Sequence, residues 1–196
     1  TIIEKNQGIF EKDFGEMGIS TEYAEITSGA DQTQALASGD VQVLYAVGAT
    51  SVILSAANGA DIKVLNMYSR SPKAFCMYSK DESLTTPESL KGKTIAGPAG
   101  TNLHELLVSY LAQAGMTMDD VNYVSMSIPD AKAGLDGGSV DVALLAGAVV
   151  YNADKQGYHK VTDGEGLIKA IIAVATTQKF YDEHPEVIAQ LEKSQQ

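Results

Sequence analysis

The sequence repeats part of itself at a spacing of 99 residues, and this repeat constrains the fold more than any other feature. Eight identical residues fall within 22 positions when residues 28–49 are aligned with residues 127–148. The matched pairs are Ser28 and Ser127, Asp31 and Asp130, Leu36 and Leu135, Gly39 and Gly138, Val41 and Val140, Val43 and Val142, Gly48 and Gly147, and Ala49 and Ala148. Either common small residues coincide by chance, or two lobes share one βαβ plan and enclose a cleft.

Short β-branched runs alternate with helical patterns along the chain, which is typical of βαβ units. Strands are predicted at Glu22 to Ile26, Val41 to Val47, Ile62 to Tyr68, Ala74 to Ser79, Thr94 to Ala96, Val121 to Ser125, Val140 to Leu145 and Ile168 to Ala175. We therefore predict an α/β fold of two βαβ lobes with mainly parallel sheets, joined by a two-strand hinge.

Helices are predicted between these strands. The clearest runs from about Leu103 to Ala114, where apolar residues recur at the spacing of one helix face, and Gly115 is placed to cap it. Two others end before Gly39 and Gly59, and two more are predicted at Pro129 to Asp136 and Pro185 to Lys193.

Two polar stretches are natural crossovers between the lobes. The first is Ser69 to Pro72, and the second is the acidic, glycine-rich stretch from Thr162 to Gly166. The predicted first lobe comprises residues 1–70 and 165–196, the second comprises residues 71–164, and the ligand cleft lies between them. Two crossings would form a hinge that can close.

Composition excludes several classes of protein. The net charge of −11 disfavours nucleic acid and anionic membranes as partners, and no apolar run approaches the roughly 20 residues of a membrane-spanning helix. Cys76 is the only cysteine, so no internal disulfide can form, and its strand-like setting predicts an inert thiol. His104, His159 and His184 show no metal-ligand spacing. We predict no metal, no cofactor and no catalytic residues.

Small-residue loops that lead into helix N-termini recur four times, at residues 27–30, 47–51, 98–102 and 127–130. Such loops let backbone N–H groups approach an anionic or polar ligand, which the positive end of the helix dipole also favours. Each loop taken alone is equally typical of an ordinary helix cap. Several of them at the strand ends that face one cleft predict a binding site.

Three other side chains are candidates for the cleft. Arg70 is the only arginine, and at the predicted hinge it is either solvated or an anchor for a carboxylate, sulfonate or phosphate. Tyr45 and Tyr68 end predicted strands and are expected either to line the cleft or to join the core.

The order of these motifs resembles the nitrate-, sulfonate- and taurine-binding proteins of ABC transporters, within a wider group that includes thiamine-precursor binders. In the first lobe the resemblance rests on residues 8–12, Ser28-Gly29, residues 35–43, Gly48-Ala49 and residues 57–64. In the second it rests on residues 90–96, Gly100-Thr101, His104, residues 111–115, Asp120-Val121, Asp130-Ala131 and Asp141, and it extends to Phe180 and residues 184–187.

The resemblance implies a type II periplasmic binding fold that closes around a small molecule and delivers it to a membrane permease. The implied protein is a monomer, periplasmic or extracellular, with a lipid anchor as one possible attachment. The ligand contacts implied by position, together with the two residues that follow the Val140 to Leu145 strand, are Ser28, Gly29, Gly48, Ala49, Thr50, Gly100, Thr101, Asn102, His104, Ala146 and Gly147.

Two departures from the family pattern are visible. The family usually has a strand before the first helix, and we expect the first lobe to lack it. The segment after Asp141 commonly carries an aromatic residue, an acidic residue and proline, where this chain has Ala146-Gly147-Ala148. The smaller residues predict a larger pocket without a carboxylate at that place.

Two other functions are compatible with the same fold. It resembles thiamine-pyrimidine synthases and menaquinone-pathway enzymes, although an enzyme should show a concentrated reactive set in the cleft. A sensory effector domain would need a fused DNA-binding or signalling segment. The main hypothesis is a transport receptor that closes because its ligand binds the closed form better.

Overall fold

The computed structural model describes the backbone of residues 2–195 and the side chains of residues 4–195. The helices are α1 (Ile2–Gln7), α2 (Ile9–Gly15), α3 (Gly29–Ser38), α4 (Ala49–Ala57), α5 (Asn102–Ala112), α6 (Ile128–Gly137), α7 (Ala148–Lys155), α8 (Gln178–Glu183) and α9 (Pro185–Ser194). The strands are β1 (Val43–Gly48), β2 (Lys63–Arg70), β3 (Phe75–Ser79), β4 (Thr94–Gly97), β5 (Asn122–Ser125), β6 (Val142–Ala146), β7 (His159–Asp163) and β8 (Ile171–Thr176). Short 3-10 helices occur at Pro72–Ala74, Pro87–Leu90 and Met118–Asp120.

The strands form two sheets of different size. Sheet A has the order β1-β8-β2, and sheet B has the order β5-β4-β6-β3-β7. Sheet A combines two strands from the first part of the chain with β8 from near its end, whereas all of sheet B comes from residues 75–163. The α/β class predicted from the sequence is confirmed.

Strand direction differs from the mainly parallel pairing that the sequence predicts. β8 runs antiparallel to both β1 and β2, and β3 runs antiparallel to both β6 and β7. Only β4 pairs parallel, with β5 and β6, among the described strands. In sheet A, the direction follows from the connections between the sheets. The chain enters β8 directly from sheet B, and β8 lies between β1 and β2, which α4 connects, so β8 is antiparallel to both.

Helices cover both faces of each sheet. On one face of sheet A, Leu36 and Val52 from α3 and α4 pack on Val47 and Ala173. On the opposite face are Phe10, Phe14 and Leu191 from α2 and α9. In sheet B, α5 covers one face with Leu103, Leu106 and Leu107, and α6 covers the other with Ala131 and Leu135. Within the described residues no helix has the length and apolar character needed to cross a membrane.

The internal repeat of the sequence corresponds to a structural repeat. Ser28 and Ser127 are the N-cap residues of α3 and α6, and each side chain accepts a hydrogen bond from the backbone N–H of the aspartate three residues on. Gly39 and Gly138 end these helices with left-handed φ values of 84° and 76°. Each helix is followed by a strand and then by a helix that starts at an alanine, Ala49 or Ala148.

Two segments connect the sheets and lie side by side. Arg70, at the end of β2, is paired with Ile171, and the Ser71 N–H donates to the Ala170 carbonyl at 3.3 Å. The Gly164 N–H donates to the Phe75 carbonyl at 3.0 Å, at the second connection. Ala170 has a φ of 47°, which is rare for a residue other than glycine. We call these two connections, residues 70–75 and 164–171, the crossovers.

One strand prediction was wrong, and one strand was not predicted. Glu22 to Ile26 is not a strand, because no described strand runs beside it, and its Tyr23 packs on Phe10 with ring centroids 6.5 Å apart. β7 was not predicted, and Val161 is the only buried side chain in it. A strand with so little apolar alternation has almost no periodic signal.

Two polar or reactive candidates from the sequence belong to the core. Tyr45 contacts Phe10 and Tyr68, with ring centroids 5.4 Å and 5.2 Å apart, on the face of sheet A that α2 and α9 cover. Cys76 is completely buried, and burial raises the pKa of its thiol to about 11. A thiol with this pKa is almost entirely protonated near neutral pH, which agrees with an inert cysteine.

Candidate functional site

The N-termini of α3, α4 and α5 meet at one place. A Cβ atom on Gly29, the first residue of α3, would lie 2.5 Å from Ser51 Oγ in the first turn of α4. A Cβ atom on Gly48, the N-cap of α4, would lie 3.2 Å from Asn102 Oδ1 at the start of α5. Glycine at residues 29 and 48 therefore permits an approach that a side chain would prevent. We call Gly29, Gly48, Thr50, Ser51, Gly100, Asn102 and Glu105 the N-terminal cluster.

Direct hydrogen bonds cross from the helices of sheet A to those of sheet B within this cluster. Ser51 Oγ donates to the Gly100 carbonyl at 2.9 Å. The Thr50 hydroxyl oxygen lies 2.7 Å from Asn102 Oδ1 and 2.5 Å from Glu105 Oε2. The cluster is thus a contact between the parts of the chain that form the two sheets.

Asn102 is buried, with 2% of its surface exposed, and its Nδ2 atom has no hydrogen-bond partner. Burying an amide N–H without a partner costs about 1–3 kcal/mol, so such groups are rare in folded proteins. The side chain is directed at the start of α4, because its three amide atoms lie 3.2–3.4 Å from the position that a Cβ on Gly48 would take. One end of this amide is therefore left without a partner at the contact between the two halves of the chain.

The predicted loop residues Ser28, Ala49 and Thr101 have backbone positions at these helix starts. Ser28 is buried and accepts from the Asp31 N–H at 3.5 Å, so its hydroxyl serves as a helix cap. Thr101 is the N-cap of α5, but its hydroxyl donates to the Pro98 carbonyl at 2.9 Å within the same loop. Ala49 is the first residue of α4 and half-buried.

His104 is fixed next to the cluster by two contacts. Its Nδ1 accepts a hydrogen bond from the Gly100 N–H at 3.2 Å, and its ring stacks on Tyr123 with centroids 4.9 Å apart. Because Nδ1 accepts, the neutral ring has its proton on Nε2. Burial lowers the pKa of His104 below its ordinary value of 6.5, since the protonated ring would lose its hydration.

The lowered pKa of His104 predicts a loss of stability in acid. Below pH 6.5 the unfolded chain protonates this histidine while the folded protein resists protonation, so its contribution to the free energy of unfolding disappears as the pH falls through the folded-state pKa. His104→Gln keeps an acceptor for the Gly100 N–H without a titrating ring. Urea denaturation between about pH 7 and about pH 5 should show the wild type losing more stability than the variant. Parallel pH profiles would contradict this assignment.

Ala146 and Gly147 lie at the end of β6, next to the start of α7. Gly147 is exposed and has φ 69° and ψ −144°, a conformation that favours glycine. No described hydrogen bond joins these two residues to the N-terminal cluster. Arg70 is exposed at the end of β2, in the first crossover, and none of its contacts reach the cluster within the described residues.

Glu105 and Tyr123 of this region were not predicted from the sequence, and Ser51 was predicted only as part of the loop at residues 47–51 and not as a site residue. Ser51 and Glu105 contact partners 49 and 55 residues away along the chain, and local patterns give no signal for such pairs. A cavity of about 300 Å³ opens beside the cluster between α3 and α4, and both Ser51 and Gly100 line it. In the part of the chain with described side chains, no group of three potential ligands is placed to bind a metal.

The two sheets, their helical layers and the paired crossovers are those of the periplasmic binding protein fold. An alkanesulfonate-binding protein from Xanthomonas axonopodis pv. citri, solved with bound MOPS, has a TM-score of 0.91 at 23% identity, over 99% of this chain and 67% of its own. The periplasmic aliphatic sulphonate-binding protein of Escherichia coli has a TM-score of 0.79 at 23% identity, over 99% and 66%.

The chain belongs to the NMT1/THI5-like family, whose sequence model matches residues 5–194. The taurine-binding periplasmic protein of Escherichia coli K12 is 28% identical over 183 residues, which are 91% of this chain and 56% of that protein. The chain spans about half the length of the curated relatives it matches. The resemblance stated from the sequence motifs is confirmed.

Proposed function

We propose that the protein is the solute-binding receptor of an ABC importer and captures a small polar or anionic molecule by hinge closure. The observation behind this proposal is the meeting of three helix N-termini, two from the side of sheet A and one from the side of sheet B. A molecule bound there would contact both halves of the chain. Its binding would therefore favour the closed arrangement.

Backbone N–H groups at the helix starts would bind the anionic part of the ligand. The first N–H groups of a helix lack intrahelical acceptors, and the helix dipole places partial positive charge beside them. The overall charge of −11 repels anions at long range, so local N–H groups must supply the attraction. The proposed ligand-binding residues are Ser28, Gly29, Gly48, Ala49, Thr50, Gly100, Thr101, Asn102, His104, Ala146 and Gly147, and we add Ser51 and Glu105 because they contact this group.

The proposed lobes are residues 1–70 with 165–196 and residues 71–164, which matches the membership of sheets A and B. The crossovers are the proposed hinge. An exposed ion pair joins them, with Lys73 Nζ 2.9 Å from Glu165 Oε2. Exposed pairs of this kind add little to stability because solvent screens them, so this one would not prevent movement of the hinge.

The ligand class is part of the proposal: taurine and sulfonates follow from the names of the relatives, and nitrate and thiamine precursors follow from the resemblance of the sequence motifs. Sulfonates, taurine, nitrate and thiamine precursors are the candidates. Ala146 and Gly147 would leave room for a larger ligand at the end of β6. The proposed partner is a membrane permease, the proposed location is periplasmic or extracellular, with a lipid anchor as one form of attachment, and the protein would act as a monomer.

The site is proposed to bind without catalysis. His104 is the one histidine beside the cluster among the described residues; its Nδ1 is occupied by the Gly100 N–H, and its lowered pKa disfavours the protonated ring. The Ser51 hydroxyl donates to the Gly100 carbonyl, which is not a base that would activate it as a nucleophile.

Ligand binding is expected to raise the melting temperature of the purified protein without changing the ligand. At a free ligand concentration 100 times the Kd, the free energy of unfolding should increase by about 2.7 kcal/mol. Native mass spectrometry of the purified protein would detect a retained molecule, and thermal denaturation with taurine, ethanesulfonate, nitrate and an aminopyrimidine would test the candidates. Recovery of a chemically altered ligand would contradict the receptor function.

A further inference from the structure

Glu105 is an unexpected residue at a site for anions. Its carboxylate lies in the first turn of α5 and contacts Thr50 of α4, and no described ion pair involves it. A purely anionic ligand at these helix starts would be repelled by this negative charge. A bound cation beside the carboxylate would instead complete a charge pair.

The Thr50 hydroxyl indicates how the neighbouring groups are arranged. It has one proton but lies within hydrogen-bond distance of two acceptors, Asn102 Oδ1 at 2.7 Å and Glu105 Oε2 at 2.5 Å. The carboxylate is the stronger acceptor, so the proton is donated to Glu105. Two oxygen atoms without a proton between them repel at 2.7 Å, which opposes an amide oxygen facing Thr50.

A half-turn of the Asn102 amide removes this conflict. Nδ2 then donates to Thr50 Oγ1, which donates to Glu105 Oε2, so each group in the chain of hydrogen bonds has a partner. The amide oxygen takes the buried position where the structure has an atom without a partner. That oxygen becomes an unsatisfied acceptor on an amide that Thr50 links to the Glu105 carboxylate.

An unsatisfied amide oxygen and an unpaired carboxylate together are suited to a primary ammonium group, which offers three donors and a positive charge. We infer that Asn102 and Glu105 form an ammonium subsite, so that the preferred ligand is a small zwitterion whose anionic group faces the starts of α3 and α4. This inference rests on the proposed function. It makes Glu105 the residue that distinguishes amine-bearing ligands from simple anions.

Isothermal titration calorimetry with matched ligand pairs tests the subsite. Taurine is compared with ethanesulfonate, and β-alanine with propionate, since each pair differs by the amine. In the wild type at least one amine-bearing ligand should bind about tenfold or more tightly than its partner, as expected for a charge-assisted hydrogen bond. Glu105→Gln should reduce that ratio by about tenfold, and Glu105→Lys, which places an ammonium on the chain, should reverse the preference.

Glu192→Gln is the matched control, because Glu192 is an exposed carboxylate on α9 and its loss should leave the ratio unchanged. Equal binding within both pairs by the wild type would overturn the subsite but leave the receptor function intact. The same holds if Glu105→Gln weakens both members of a pair equally, since Glu105 would then only stabilise the site. Absence of binding by all four ligands and by the other candidate anions would overturn the proposed function itself.

Discussion

Gly48→Leu is expected to weaken ligand binding by about 100-fold while leaving the free energy of unfolding almost unchanged. Gly48 has φ −67° and ψ 133°, which any residue adopts, so the larger side chain introduces no backbone strain. Its Cβ would lie 3.2 Å from Asn102 Oδ1, and the remaining atoms would occupy the space between the starts of α4 and α5. The two lobes would be held apart, and the closed form would be disfavoured. Calorimetry with the tightest-binding ligand of the panel measures the effect.

Gly137→Leu provides the control for this substitution. Gly137 ends α6, and nothing lies within 4 Å of the position of its Cβ. The control should bind ligand like the wild type, and small-angle scattering should show a larger radius of gyration for Gly48→Leu alone. Unchanged affinity in Gly48→Leu would remove the start of α4 from the binding site.

Gly164→Ala is expected to lower the free energy of unfolding by about 3 kcal/mol, because overpacking of this kind forces the backbone to move. The added Cβ would lie 2.6 Å from the Pro72 carbonyl oxygen and 2.8 Å from Ile168 Cγ1. The first of these is a backbone atom of the other crossover, which cannot rotate away as a side chain would. Urea denaturation followed by circular dichroism measures the change.

Gly137→Ala is the control variant for this prediction. It makes the same substitution at the end of α6, where no atom lies within 4 Å of the added Cβ. It should alter the urea midpoint only slightly, since alanine is compatible with a helix. If both variants unfold at the same urea concentration, the two crossovers are less closely packed than their contact indicates.

The positions of most helices and strands could be predicted from local sequence patterns. Ser28, Gly39 and their repeats at Ser127 and Gly138 are cap residues whose chemistry marks helix ends without reference to the rest of the fold. Strand direction could not be predicted, because it depends on where the chain re-enters a sheet. The wrong strand at residues 22–26 has the same cause: a strand exists only if another strand pairs with it.

For the candidate site, the sequence predicted the loops but not their contacts. Gly29, Gly48 and Gly100 are recognisable as glycines that precede or begin helices, and in the structure they lie at the starts of three neighbouring helices. Glu105 reads as an ordinary acidic residue in the first turn of a helix, where the dipole favours it. The role we propose for Glu105 depends on Thr50, and only the three-dimensional fold shows that these two side chains meet.

The strand order of the two sheets also has a consequence for biosynthesis. Every strand of sheet B is complete once residue 163 has left the ribosome, whereas β1 and β2 are separated in sheet A by β8, which is made later. Residues 75–163 can therefore fold during translation, while the earlier strands β1 and β2 must wait with unpaired edges. In a nascent chain, β1 and β2 would stay exposed longer than the strands of sheet B, and chaperones would be expected to bind there.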